Sequence, residues 1–214
     1  MAERKRPRRT RERIIATALE LFNRFGEPHI TTADVADEME ISPGNLYYHF
    51  RNKDEIIAEL FAAFESRLDG LFALPGNRAA TVEDLWFLLH LLFEAMWDHR
   101  FLFRDLDEIL SRNRKLASRF ALITARGTRT VVELCRQLVA AGSMRASERE
   151  IAALAENAGL VATYWISYQK MRAGDRATES VSLDRAAYQV LSLIAPFLRG
   201  DARALVERLS VEYL

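Results

Sequence analysis

The stretch Ile30–Phe50, ITTADVADEMEISPGNLYYHF, contains two helix starts in quick succession. Thr31 followed by Asp34 has the spacing of a capping box, and Val35, Ala36 and Met39 form a one-sided apolar face about two turns long. Glu40-Ile41 makes a short turn into Ser42, a good N-cap, with Pro43 at the first helical position. In the helix that follows, Leu46 and Phe50 share the inner face, which leaves Asn45, Tyr47, Tyr48 and His49 pointing outward. Two aromatics and a histidine exposed on so short a helix are poorly placed unless a partner covers them. A helix, a tight turn and a second short helix form the unit that sets its second helix in the DNA major groove. Ser42, Gly44 and Asn45 at the helix start are the candidates to reach base edges, where Asn pairs bidentately with adenine and Gly44 lets the backbone approach. Thr32, Tyr47, Tyr48, His49 and Lys53 are candidates to bond phosphates and set the register. Lys53 also opens the next helix, whose free N–H groups favour an anion. Spacing alone leaves an ordinary helical hairpin within a larger bundle as the alternative.

The flanking residues narrow that choice. Glu12–Gly26, ERIIATALELFNRFG, is an amphipathic helix with Ile14, Ile15, Ala18, Leu19, Phe22 and Phe25 on one face, stopped by Gly26. Together with Thr31–Leu60, TTADVADEMEISPGNLYYHFRNKDEIIAEL, it resembles the DNA-binding segment of the TetR family of bacterial transcriptional regulators, over about residues 8–68. The run LYYHFRNKDEI is the most specific part of the match. The resemblance implies a dimer, each chain carrying an N-terminal three-helix DNA-binding domain and a helical domain that senses a small molecule. One departure is Glu40, where most members have Gly; a non-Gly residue at positive φ is strained.

Composition supports the helical reading and complicates the electrostatic one. Half of the 214 residues are hydrophobic and 28% are charged, a globular profile. Nine Gly and five Pro are too few for a turn-dense β architecture and favour helices with short connections, an all-α fold. Lys+Arg and Asp+Glu both number 30, so the net charge is zero. The charge is uneven: residues 1–13 carry seven cations and two carboxylates, a net +5, and the rest of the chain sums to −5. A basic arm on an acidic body points to nucleic acid or an anionic surface, although a solvated tail explains it as well. Residues 14–53 sum to −3, so non-specific DNA affinity is expected to be modest and concentrated in the arm. The opening MAERKRPRRTRER has no apolar core for a secretory signal, and Cys135 has no intrachain partner. The apolar stretch Leu85–Trp97 is broken by His90 and Glu94 and falls short of the ~20 residues a membrane span needs. A cytoplasmic protein without a membrane partner is expected.

Apolar periodicity and turn signals predict helices near 10–25, 32–39, 43–50, 53–73, 81–98, 102–111, 114–141, 147–172, 182–199 and 201–212, with turns at Pro75-Gly76-Asn77 and Gly174-Asp175 among others. Three regions follow: a basic arm at 1–9, the helix-turn-helix domain at 10–52, and an effector-binding and dimerisation domain at 53–214. The 81–98 helix is apolar nearly all round and is expected to be buried on every side. A ligand cavity or plain core accounts equally for the aromatic volume of Phe61, Phe64, Trp86, Phe93, Trp97, Phe103, Phe120 and Trp165, with His90 as a polar group. His90, Glu94 and Asp98 fall on one side of that helix. They can ligate a divalent metal, bond a ligand head group or pair with Arg100 or Arg104; the first option carries the alternative reading of a helical-bundle metal protein or enzyme. No nucleophile–base constellation or phosphate loop supports an enzyme, and no cofactor is expected. The stripes Ile151, Leu154, Ala158, Ala162 and Leu183, Ala187, Val190, Leu191, Ile194 are assigned to a dimer seam, a four-helix bundle in the family; packing within one chain is the alternative. The expected partners are double-stranded operator DNA, a small apolar or amphipathic effector and a second copy of the chain.

Overall fold

The computed structural model describes residues 5–72, 78–173 and 183–211. The turns at 75–77 and 174–175 and the first four residues of the arm lie outside them. The elements are α1 (Lys5–Phe25), α2 (Thr32–Glu38), α3 (Pro43–His49), α4 (Lys53–Leu71), α5 (Val82–Asp98), α6 (Arg100–Arg104), α7 (Leu106–Arg112), α8 (Arg114–Ala140), α9 (Glu148–Ala173), α10 (Leu183–Ile194) and α11 (Gly200–Val211). Among the described residues there is no strand, only an isolated antiparallel bridge between Met144 and Leu198. The fold is all-α, a small N-terminal helical unit followed by a larger helical domain.

Local chemistry sets the N-terminal unit. Ile14, Ala18 and Phe22, four apart on α1, are fully buried, and Gly26 ends the helix at φ 99°. The Thr31–Asp34 box is reciprocal: the Asp34 N–H donates to Thr31 Oγ1 at 3.2 Å and the Thr31 N–H to Asp34 Oδ2 at 2.7 Å. Bonds from the Thr31 hydroxyl and N–H hold the Asp34 carboxyl below its usual range. Ser42 Oγ caps α3 by accepting from the Asn45 N–H at 3.2 Å. Glu40 sits in the turn at φ 54°, the one positive-φ residue other than glycine among those described. The strain expected there is real, and the helix-turn-helix geometry is kept despite it.

Four expectations change. The arm is not a separate segment from residue 5 onward, because α1 begins at Lys5 and residues 5–9 extend it. The 102–111 helix is two helices broken at Asp105, whose ψ of 27° leaves the helical region while its carboxylate bonds elsewhere. The α10 segment stops at Ile194 and tightens to a 3₁₀ turn through Pro196, which lacks the N–H to continue. Finally, α5 is not buried on every side: Phe87 is 56% exposed, and Trp86, His90 and Trp97 are half-exposed beside it.

The assigned dimer seam is also corrected. Ile151, Leu154, Ala158 and Ala162 on α9, and Ala187, Val190, Leu191 and Ile194 on α10, are all buried within the single chain. They are already covered within the single chain, which leaves little of these side chains for a second copy to bury; the Leu183 side chain lies outside the described residues. The outer face of α9 instead carries Leu160, Tyr164, Tyr168 and Met171, an apolar stripe between 44% and 78% exposed.

Candidate nucleic-acid interface and effector cavity

The recognition face is built on α3. Leu46 and Phe50 are buried and anchor it, while Ser42, Gly44, Asn45, Tyr47 and Tyr48 are exposed, Tyr48 at 80%. His49 is half-buried, its ring 5.2 Å from Tyr48 in edge-on contact. Thr32 Oγ1 and the Tyr47 hydroxyl lie 3.1 Å apart, so the start of α2 and the middle of α3 present their oxygens side by side. A Cβ on Gly44 would meet only Ser42 Oγ, at 4.0 Å. Nothing inside the chain demands glycine there; the small residue leaves room on the outer surface. Arg11 braces the end of α3 from α1, with its guanidinium 4.8 Å from the Phe50 ring centroid and 2.7 Å from Glu59.

Lys53 does not stand with this group. Its ammonium donates to the backbone carbonyls of Glu27 and Ile30, both at 2.9 Å, and lies 2.8 Å from the Glu27 carboxylate. The cation expected to meet a phosphate is turned inward, where it ties α4 to the turn before α2.

That contact belongs to a polar network the sequence reading missed. The Glu27 carboxylate is fully buried and also accepts from Arg112 of α7 at 2.6 Å. The Glu27 N–H donates to Asp105 at 3.1 Å. Arg104 donates to the Phe22 carbonyl at 2.6 Å, a second donor to an oxygen that also accepts from the Gly26 N–H at 3.0 Å. Asn23, almost fully buried, spans the α5–α6 break: its amide donates to the Asp98 carbonyl at 2.7 Å and its oxygen accepts from the Phe101 N–H at 3.1 Å. Phe22 and Phe101 touch alongside, ring centroids 5.4 Å apart. The end of α1 and the turn after it are thus bonded to α6 and α7. Glu27 and Lys53 are visible in the sequence as charges, but nothing in their spacing pairs them with Arg112.

A partly open apolar cavity of about 80 Å³ lies between α4, α5, α6, α8 and α9. Phe64, Phe103 and Phe120 line it as expected, joined by Leu68 and Phe72 from α4 and its end, Leu88, Leu89, Leu92 and Met96 from α5, Ile123, Thr124, Gly127, Thr128 and Val131 of α8, and Ala155, Ala158, Gly159, Ala162 and Thr163 of α9. Ala158 and Ala162 therefore belong to the cavity wall. Its other expected residues do not reach it. Phe61 and Phe93 are buried in packing beside it, and Phe61 stacks toward Phe64 and Phe120 at 6.3 and 6.5 Å. Trp86 and His90 stack on each other at 5.4 Å, Trp97 lies under the Arg100 guanidinium at 4.7 Å, and Trp165 meets Tyr168 at 6.0 Å. A residue on an apolar helix faces the cavity only if its angular position does, which composition cannot tell.

The metal alternative fails on geometry. His90, Glu94 and Asp98 have side chains 40%, 46% and 54% exposed, on the outer surface of α5. His90 Nε2 is 3.9 Å from Glu94, and Arg67 of α4 pairs with both Glu94 and Asp98. An arginine fills the place a cation would need, and no group of three potential ligands gathers among the described residues. Cys135 is fully buried, and burial pushes its thiol up to about 11, so it is not a reactive thiolate. No helix among the described residues is long and apolar enough to cross a membrane.

Comparison with known proteins places these features in context. Residues 14–60 match the family model described as bacterial regulatory proteins, tetR family, and residues 63–206 match that of a bacterial transcriptional repressor, TetR. A TetR-family transcriptional regulator from Marinobacter aquaeolei VT8 is 36% identical, with 95% of this chain and 98% of that one aligned at a TM-score of 0.84. CprB from Streptomyces coelicolor, solved in complex with its operator sequence, shares the fold at a TM-score of 0.68 and 20% identity, over 97% of each chain. The regulator TcmR of Streptomyces glaucescens is 35% identical over 71 residues, 33% of this chain and 31% of its own length. The alignments to the first curated relatives thus span less than half of those proteins. With both its segments matched and its fold shared from end to end, the chain belongs to the TetR family of bacterial transcriptional regulators.

Proposed function

We propose that this regulator is a repressor that binds a pseudo-palindromic operator as a homodimer and releases it when a small apolar effector fills the cavity. The observation that carries the DNA half is the α3 face. Ser42, Gly44 and Asn45 at its start are free to read bases, and Thr32, Tyr47, Tyr48 and His49 supply hydrogen bonds to phosphates. The unit itself is acidic, so these neutral donors carry more of the positioning than cations do, and the basic residues at the start of α1 add affinity with little sequence discrimination. Two copies are required to meet half-sites ~34–36 Å apart or at a multiple of that spacing. The exposed stripe Leu160, Tyr164, Tyr168 and Met171 on α9 is the face we assign to the second copy, in place of the buried stripes.

Switching follows from the connection between cavity and recognition unit. Phe64 and Leu68 of α4 and Phe103 of α6 line the cavity, and α6 is bonded to the end of α1. An effector that fits only one arrangement of α4 and α6 shifts the separation of the two α3 helices through its differential affinity. The test uses a duplex selected by the protein from a random pool. Replacing Tyr47 and His49 by Ala is expected to abolish binding while circular dichroism and sedimentation remain unchanged. Undiminished binding removes α3 from the interface.

A further inference from the structure

We infer that the cavity is built for an uncharged, largely apolar molecule carrying a hydroxyl group, an alcohol or phenol, rather than for a carboxylate or a quaternary ammonium ion. This rests on reading the cavity as the effector site. None of its lining residues is ionisable. A carboxylate or ammonium group drawn into it would lose its hydration without a countercharge, a desolvation that apolar contacts do not offset. The polar groups that do line the wall are three threonines, Thr124 and Thr128 one turn apart on α8 and Thr163 on α9.

Their hydrogen-bonding state is specific. Thr124 Oγ1 lies 3.0 Å from the Phe120 carbonyl and Thr128 Oγ1 lies 3.0 Å from the Thr124 carbonyl. A carbonyl only accepts, so each hydroxyl has given its proton to its own helix and offers lone pairs alone. A ligand group that replaces water at these oxygens keeps their hydrogen bonds only if it brings a donor. The two differ in burial: Thr124 is exposed at the mouth, and Thr128 is half-buried behind it. Gly159 faces Thr128 across the α8–α9 seam, where a Cβ would come within 3.9 Å of Thr128 Oγ1, so the opposing wall adds no side chain to cover it. Thr163 is half-buried, and among the described residues no hydrogen bond is formed by its hydroxyl, which can donate or accept. A ligand hydroxyl satisfies both kinds of partner, donating to Thr128 or Thr124 and accepting from Thr163; an ether or ketone offers no donor and a quaternary ammonium ion neither donor nor acceptor. Near the mouth, the Arg126 guanidinium is already paired with Asp69 and lies 5.7 Å from the Phe72 ring centroid, so it does not recruit an anion.

Calorimetric titration of the full-length protein with decanol, decyl methyl ether, decanoate and decyltrimethylammonium tests the inference with chains of matched length. Decanol is expected to bind about two- to tenfold tighter than the ether, the net effect of one hydrogen bond exchanged against water, and both ions more weakly than either. The double variant Thr124→Val, Thr128→Val is expected to bring the alcohol-to-ether ratio close to one. Decanoate or decyltrimethylammonium binding as tightly as decanol, or a preference for decanol unchanged in the double variant, overturns the inference. Ala158→Leu, which fills the cavity wall, separates this from the reading beneath it. If Ala158→Leu stops an ion from binding, the cavity is the site and the ligand class is wrong. If it binds decanol as tightly as the native chain, the cavity is not the site, and Ala162→Leu checks that result at a second point of the wall.

Discussion

Replacing Glu27 by Gln probes the joint between the two halves of the molecule. The carboxylate is fully buried, 2.6 Å from Arg112 and 2.8 Å from Lys53. Gln keeps the size but turns one oxygen into an NH₂ group, which confronts one of the two cations donor to donor. Removing one partner of a fully buried ion pair costs about 3–5 kcal/mol. Here the cations keep some water, with side chains 23% exposed for Lys53 and 40% for Arg112, which reduces the cost below that range, to about 2–3 kcal/mol. For a chain of this length each kcal/mol shifts the unfolding midpoint by about 2–4 °C, so Tm is expected to fall by roughly 4–12 °C. The assay is thermal unfolding followed by circular dichroism at one fixed protein concentration, since any self-association stabilises the folded state. Glu148→Gln is the control: that carboxylate meets Arg136 at 2.6 Å but is 68% exposed, and its loss is expected to leave Tm unmoved. A Glu27→Gln midpoint indistinguishable from the control would show that the buried pair does not hold the halves together. The argument for a rigid link from α6 to the recognition unit would then fall.

Three further outcomes are expected. Glu40→Gly, at φ 54°, relieves left-handed strain and raises stability by about 0.5–1 kcal/mol net of the added unfolded-state entropy, whereas Glu40→Ala does not; equal stability of the two variants would rule out backbone strain as the cause. Bonds from Arg78 and Thr81 hold the Asp84 carboxyl at about 2, below the usual value of about 3.9. Because its folded pKa is depressed, its contribution is present above about pH 4 and lost as the pH falls toward 2, so the Tm gap between the native chain and Asp84→Asn should close over that window, and a gap independent of pH contradicts the assignment. Deleting residues 1–9 weakens operator binding and flattens its dependence on salt, read as the slope of log affinity against log salt; an unchanged slope removes the arm from the DNA.

Local chemistry decided what could be read directly from the chain. Thr31 with Asp34, Ser42 with Pro43, Gly26 at a helix end and Leu46 with Phe50 on one face are relations within a few residues, settled by capping geometry and helical period, and each stands in the structure as expected. The outward set Ser42, Gly44, Asn45, Tyr47 and Tyr48 follows from the same period. Helical period tells which face of a helix is buried but not what buries it. For that reason the stripe through Ala158, Val190 and Ile194 fits a second copy as well as its own protomer, and only the packing of α9 and α10 shows these residues buried within the single chain. Of the aromatic residues expected around the cavity only Phe64, Phe103 and Phe120, on α4, α6 and α8, reach it, and no aromatic residue of α5 does. Lys53 and Glu27, 26 positions apart, and Glu27 and Arg112, 85 apart, have no local signal to join them. Their pairing exists only once α1, α4 and α7 converge, because a buried charge is tolerable only where the fold brings its partner.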